Sequence, residues 1–332
     1  MKKTYILFLL IISCLSGCNA RQSEKQKVPV TISASPSPDI SEKTPYLSIT
    51  ESYYSNAAET DIGSKCIVYN IQTKEIEEKG SVNYTSGYPL TTYSEKFNDI
   101  FFSAYSGRGD QIYKYNNNQN IQMTDKFYSI NHMLSCGDKI FIAAKLLKHY
   151  CMEPFIFDPV SKECTRVFPD KKDDRFTWFV GNVPELNSVL FSYRSDNKER
   201  ECGVNECSTS RIALLNMETG QVRQIYKLHK YIWGVAGNKE KLYILCAKSG
   251  VQKRDKNILY EIDMATKEKR KLKIPIVATE KLSLWDNILY CIGRNTNGKN
   301  RGIYAINLST LKADLVFPQE KGAFINGFSM CY

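Results

Sequence analysis

Side chains able to do chemistry are few in this chain, and they form no familiar constellation. The three histidines, His132, His149 and His229, stand at no metal-ligand spacing from one another. Neither His-Glu-x-x-His nor Gly-x-Ser-x-Gly occurs, and no Walker-type loop is present to cradle phosphate. The motifs therefore point to no catalytic residue, metal ligand or cofactor. Cys202 and Cys207, in Glu201-Cys-Gly-Val-Asn-Glu-Cys207, are spaced for a local disulfide. Zinc is the competing reading, but no second pair or histidine cluster accompanies them. Ser106-Gly-Arg-Gly-Asp110 contains an Arg-Gly-Asp tripeptide, which reads either as an adhesive element or as an ordinary Gly-rich turn.

One cysteine stands apart by its setting. Lys2 and Lys3 precede a short apolar run, Tyr5 to Ile12, which is too short to span a bilayer comfortably. The run leads into Leu15-Ser16-Gly17-Cys18, which resembles the lipobox of bacterial lipoproteins. That resemblance implies a signal peptide over residues 1–17, a diacylglycerol thioether on Cys18, and attachment to the outer, extracytoplasmic face of the cell membrane. Residues 18–45 then read as a tether. Ser33-Ala-Ser-Pro-Ser-Pro38 and its polar neighbours offer too little apolar surface to offset the entropy of ordering them, and the prolines keep the segment extended.

The formal charge is +10, and +8 once Lys2 and Lys3 leave with the signal. Such a chain is drawn to anionic headgroups or acidic wall polymers, or simply carries solvated lysines. The basic residues look scattered and the chain is exported, so nucleic acid is not an expected partner. Of the eleven cysteines, nine remain after Cys14 and Cys18, an odd number that cannot all pair. Cys66, Cys246 and Cys291 sit in apolar runs as small hydrophobes, which fits an organism living without much oxygen.

The elements that would position any site are strands. Tyr occurs 21 times and Phe 15 times, and no long segment carries capped helical periodicity. Six segments share one pattern, in which a short apolar strand with an aromatic ends in Asp or Asn: Cys66-Ile-Val-Tyr-Asn70, Ile112-Tyr-Lys-Tyr-Asn116, Pro154-Phe-Ile-Phe-Asp158, Ile212-Ala-Leu-Leu-Asn216, Leu259-Tyr-Glu-Ile-Asp263 and Ile303-Tyr-Ala-Ile-Asn307. Three residues on stands Thr73, Ser161, Thr219, Thr266 or Thr310, with Gln119 the exception. Both side chains can satisfy turn amides, so each anchor predicts a hairpin. The anchors recur every 42 to 58 residues, the period of a four-stranded propeller blade. The first repeat starts at Leu47 with no strand before it, while Ala323 to Met330 is a strand left over at the other end. The prediction is therefore an all-β fold over residues 46–332, a six-bladed β-propeller of four-stranded blades. The C-terminal strand completes blade 1 and closes the ring, leaving no open edge there.

In these repeats the domain resembles TolB-like six-bladed propellers and the propeller-type domains of unknown function in lipoproteins of anaerobic Gram-positive bacteria. The Asp-box of sialidase propellers is absent, and the repeats of quinone-binding propellers are only faintly echoed at Asn216…Thr219-Gly220. Aligning the inner strands places Thr91, Asn131, Val180, Trp233, Thr279 and Asn326 in one column, flanked by His132 and Glu280. If that column faces the channel, it forms a polar ring with one indole platform, suited to a sugar, peptide or other polar small molecule, or to a protein ligand. The same residues would equally serve to fill or hydrate the channel. The expected function is a non-enzymatic binding module anchored through Cys18. The alternative is a propeller hydrolase or lyase acting on surface or environmental glycans, which would need carboxylates from different blades to converge in one pocket.

Overall fold

A computed structural model describes residues 45–55, 62–83, 89–116, 119–170, 174–195, 197–198, 209–247 and 257–332. Cys18, the signal and tether segments, and the Cys202/Cys207 pair lie outside the described residues.

The described residues form twenty-four strands in six antiparallel four-stranded sheets. Five blades run outward in chain order. Blade 2 is β4 (Thr91–Ser94), β5 (Asp99–Tyr105), β6 (Asp110–Asn116) and β7 (Gln119–Gln122). Blade 3 is β8 (Phe127–Cys136), β9 (Lys139–Leu146), β10 (Glu153–Phe157) and β11 (Cys164–Arg166). Blade 4 is β12 (Arg175–Val183), β13 (Ser188–Ser195), β14 (Ser210–Asn216) and β15 (Val222–Leu228). Blade 5 is β16 (Ile232–Gly237), β17 (Lys241–Ala247), β18 (Asn257–Asp263) and β19 (Lys269–Leu272). Blade 6 is β20 (Ile276–Trp285), β21 (Ile288–Asn295), β22 (Gly302–Asn307) and β23 (Ala313–Pro318).

Blade 1 breaks the order as the leftover strand requires. Its innermost strand is β24 (Ala323–Cys331), paired antiparallel with β1 (Tyr46–Tyr54), then β2 (Ile62–Asn70) and β3 (Ile76–Asn83). Leu47 faces Met330 and Ile49 faces Phe328, so the two ends of the domain share one ladder. Leu47, Ile49, Ile325 and Met330 join the core between blades 1 and 6. Each buried side chain of this size contributes roughly 1.5–3 kcal/mol.

The predicted hairpin chemistry holds in five blades. The side-chain oxygens of Asn70, Asp158, Asn216, Asp263 and Asn307 each accept the amides two and three residues on, at 2.8–3.1 Å. The hydroxyls of Thr73, Ser161, Thr219, Thr266 and Thr310 accept the amide two residues further, at 3.2–3.4 Å. The residue after each hydroxyl turns left-handed: Lys74, Lys162, Gly220, Lys267 and Leu311 have φ between 56° and 71°.

Burial depends on position within a blade. Middle strands are covered on both faces by neighbouring blades, so β9 and β13 are buried almost throughout, and Phe101, Phe141, Phe155 and Phe191 are fully enclosed. Outer strands such as β7 and β15 stay largely exposed and polar.

Candidate functional site

The six innermost strands, β24, β4, β8, β12, β16 and β20, surround the axis and contact one another around and across it. Most of them carry a β-bulge. Asn131, Trp233, Thr279 and Asn326 are each the extra residue, skipped by the register between Ile130 and His132, Ile232 and Gly234, Ala278 and Glu280, and Gly327 and Ile325. In β12 the register skips Trp178 and Phe179 in the same way. A bulge breaks the two-residue alternation of side chains and re-aims the residues beyond it.

Around the axis lies a cavity of about 30 Å³, lined by hydroxyls of Ser48, Thr50, Thr91, Ser283 and Ser329, with Asn182, His132 and Lys281. That space holds one or two waters. It is an order of magnitude below a small-molecule pocket. Side chains from opposite blades fill the rest. Lys281 of blade 6 places Nζ 3.0 Å from Nδ1 of His132 in blade 3. An ammonium only donates, so Nδ1 accepts and the imidazole proton sits on Nε2. Burial first, and then the Lys281 charge, hold His132 well below the usual histidine range and therefore neutral. Lys281 is itself buried and takes a left-handed backbone, φ 55°, at a second bulge of β20.

The channel has two unlike ends. At the end where the inner strands begin, Trp178, Tyr231, Trp233 and Phe179 form an aromatic cluster with centroids 4.7–6.4 Å apart. The Arg194 guanidinium, buried at the end of β13, lies 4.4 Å from the Tyr231 ring centroid and 5.2 Å from that of Trp178. Lys281 Nζ lies 5.7 Å from the Phe179 ring. At the other end, Pro184, Leu284 and Trp285 border a hollow of about 310 Å³ with Glu185, Asn238 and Asp286. Glu185 and Asp286 are exposed there, the first in the 3-10 helix Pro184–Leu186 and the second in the turn between β20 and β21.

Of the six aligned positions, Thr91 and Val180 line the axial cavity. The others occupy the bulges and are engaged around it. Asn326 Nδ2 donates to Ser52 Oγ at 2.9 Å and to the Pro89 carbonyl at 2.8 Å, tying blade 1 to the entry of blade 2. Thr279 Oγ1 donates to the Ile292 carbonyl at 3.1 Å within its own blade. Trp233 is buried against Tyr231 and Phe179, and Asn131 is half-buried beside His132. Glu280 points to Arg301, 3.7 Å away. No sequence motif marks Lys281, Arg194 or Trp178. A lysine inside the apolar run of β20 is the one signal that could reveal Lys281.

The remaining candidates have local explanations. Arg108 is exposed in the turn between β5 and β6, as expected for Ser106-Gly-Arg-Gly-Asp110. Gly109 is required there: a Cβ would stand 2.4 Å from the Phe127 carbonyl oxygen. His149 and Arg166 both approach the buried Glu153 carboxylate of β10, and His229 meets the Thr209 hydroxyl. Among the described residues, no group of three or more His, Cys, Asp or Glu could hold a metal ion. Cys66, Cys291 and Cys331 are buried free thiols, and burial pushes them up to about 11, 12 and 12 respectively. They pack rather than react.

No protein-family model matches this chain, and no curated protein matches it in sequence. Similarity to solved structures is extensive in coverage. A chain of a nidogen/laminin complex is 9% identical with a TM-score of 0.54, over 86% of this chain and 98% of that one. TolB from Acinetobacter baumannii is 13% identical with a TM-score of 0.55, over 86% of this chain and 66% of that one. Identities this low speak to architecture alone. With its six four-stranded blades and a ring closed by β24, the domain is an all-β six-bladed propeller, similar in fold to TolB.

Proposed function

We propose that this protein is a lipoprotein, cleaved after residue 17 and held to the outer face of the cell membrane by lipid on Cys18. Residues 18–45 tether a propeller that acts as a non-enzymatic binding module. The ligand meets the aromatic end of the channel. One observation carries this reading: Arg194 lies against the Trp178 and Tyr231 rings, and Lys281 lies beside Phe179 in the lining of an axial cavity that has no carboxylate. Aromatic faces with adjacent cations suit a polar ligand bearing carboxylate or carbonyl groups, such as an acidic glycan or a peptide. In this reading Asn131 and the half-buried Trp178 contribute to the ligand face, Trp233 backs it from the core, and Thr91, Thr279 and Asn326 hold the inner strands that shape it. The glycan hydrolase or lyase alternative gains less support. Glu185 and Asp286 stand exposed at the opposite end, without the burial that prepares a general acid.

Two experiments test the proposal. Metabolic labelling with palmitate should mark the wild-type protein in the membrane fraction, and Cys18→Ser should lose both label and membrane attachment. Uronic-acid oligosaccharides titrated against Arg194→Gln should bind at least about tenfold more weakly than to wild type, in line with a desolvated cation–π and charge contact. An unlabelled wild-type protein would refute the anchor, and equal affinities would refute the ligand face.

A further inference from the structure

The positive charge of the domain is concentrated rather than spread. Residues 231–275, essentially blade 5, hold eleven Lys and Arg against five Asp and Glu, a net +6. Residues 46–332 together carry +7, and residues 46–90, the chain-order part of blade 1, carry −3. Part of the blade 5 charge is internally matched: Arg270 donates to both Glu261 oxygens, and Lys241 lies 3.3 Å from the same carboxylate.

Of the other described basic residues of this blade, three stand on or just beyond its outer strand. Lys269 and Lys271 are exposed on β19, about 7 Å apart by strand geometry. Lys273 continues the row, and Arg223 and Lys227 are exposed on β15, the outer strand of the adjacent blade 4. An edge strand often carries lysine to deter edge-to-edge pairing. That need alone does not explain this rim, because the equally exposed β7 edge of blade 2 reads Gln119-Asn-Ile-Gln122 and carries no charge. The outer turn and strand of blade 1, by contrast, set Glu75, Glu77 and Glu78 against Lys74 and Lys79, with Glu77 paired to Lys79 and Glu78 to Lys65.

We infer that the outer rim of blades 4 and 5, built on Arg223, Lys227, Lys269, Lys271 and Lys273, docks edge-on against an anionic lipid surface. A bilayer of acidic headgroups offers a broad negative field that attracts each nearby lysine. The blade 1 rim, whose carboxylates are matched by lysines, offers no comparable attraction, so the basic rim alone sets the orientation. The partner class is set by charge alone: none of the large apolar side chains exposed among the described residues lies in blade 5, so the surface adsorbs to headgroups rather than inserting. The nearness of a membrane rests on the Cys18 reading, but the attraction itself does not.

The test separates the two. The chain from residue 18 onward, which contains all twenty-four strands, is prepared with Cys18→Ser and sedimented with phosphatidylcholine vesicles lacking or containing phosphatidylglycerol. A Lys269→Gln/Lys271→Gln/Lys273→Gln variant is compared with Gln119→Glu/Asn120→Glu/Gln122→Glu, which changes net charge equally at the β7 edge; melting curves verify that both fold. Binding should require phosphatidylglycerol, fall at least about tenfold in the lysine variant and stay within about twofold in the β7 variant, since each lysine near such a surface is worth about a factor of five. Equal loss in both variants would reduce the effect to net charge and overturn the surface. So would wild-type protein that ignores phosphatidylglycerol, or that binds soluble long-chain polyphosphate and not the vesicles. Because no lipid is attached, failure here leaves the Cys18 reading standing, and the reverse.

Discussion

Asn182 of blade 4 donates a hydrogen bond from Nδ2 to the main-chain carbonyl of Met330 at 2.9 Å, directly across the channel, where β24 closes blade 1. In a six-bladed ring these two blades are opposite. The closing strand is therefore held by its ladder with β1 and also by a side chain reaching over the axis. Lys281 and His132 make a second span of the same kind between blades 6 and 3. These bridges are why the axis is filled.

Removing the bridge should weaken closure. Asn182→Ala leaves the Met330 carbonyl buried without this donor, a loss of about 1–3 kcal/mol. Deleting residues 323–332 should be far worse, because it exposes the whole inner edge of β1 and removes Ile325 and Met330 from the core. Chemical denaturation measures the first as a lower midpoint. The second should give no cooperative transition, and a truncated protein that melts like the full chain would contradict ring closure.

His132 makes stability depend on pH with a definite sign. Its imidazole is held below the ordinary value of 6.5 in the fold, while the unfolded chain titrates near that value. The unfolded state thus binds more protons at mildly acidic pH. The contribution is fully present above about pH 6.5 and is lost as pH falls below it, by up to about 1.4 kcal/mol per pH unit. Denaturation midpoints taken from about pH 7 to about pH 5 should fall more steeply in wild type than in His132→Gln.

The repeated hairpin offers an internal control. Lys74 and Lys162 are exposed and left-handed, at φ 68° and 62°, where Gly220 sits in the equivalent turn of blade 4 at φ 71°. Lys74→Gly and Lys162→Gly should each stabilise by about 0.5–1 kcal/mol, and Gly220→Ala should destabilise by about 1 kcal/mol. A Cβ at Gly220 meets only Ile156, at 4.0 Å, so its effect would be conformational. Thermal melts of the three variants decide this.

The fold is legible in the sequence because its signals are local. Asn or Asp four residues before a left-handed turn, a hydroxyl between them, and an unpaired strand at each end of the domain are all visible without coordinates. The channel is not legible in the same way. The column of Asn131, Trp233, Thr279 and Asn326 is a repeated structural position, but strict alternation cannot reveal that each is a bulge residue. Lys281 and His132 lie 149 residues apart, and only ring closure brings them together. The basic rim looks scattered along the chain because Arg223 and Lys227 join Lys269, Lys271 and Lys273 on adjacent blades only once the ring forms.

Trp233 shows how burial changes a test. It packs in the core shared by blades 4 to 6. Trp233→Ala should therefore cost about 3–5 kcal/mol of stability in addition to any loss of binding. Trp233→Phe keeps an aromatic ring against Tyr231 and Phe179, and is the variant to use in binding work. Comparing the denaturation midpoints of the two checks this directly.

The three tryptophans give the most direct measurement of where ligand binds. Trp178 and Trp233 stand at the aromatic end, and Trp285 at the other. Intrinsic fluorescence should be followed while a uronic-acid oligosaccharide is titrated against wild type, Trp285→Phe and Trp178→Phe/Trp233→Phe. A saturable signal that persists in Trp285→Phe and vanishes in the double variant is the expected outcome. A signal that survives in the double variant and is lost with Trp285 would move recognition to the acidic end and refute the aromatic ligand face.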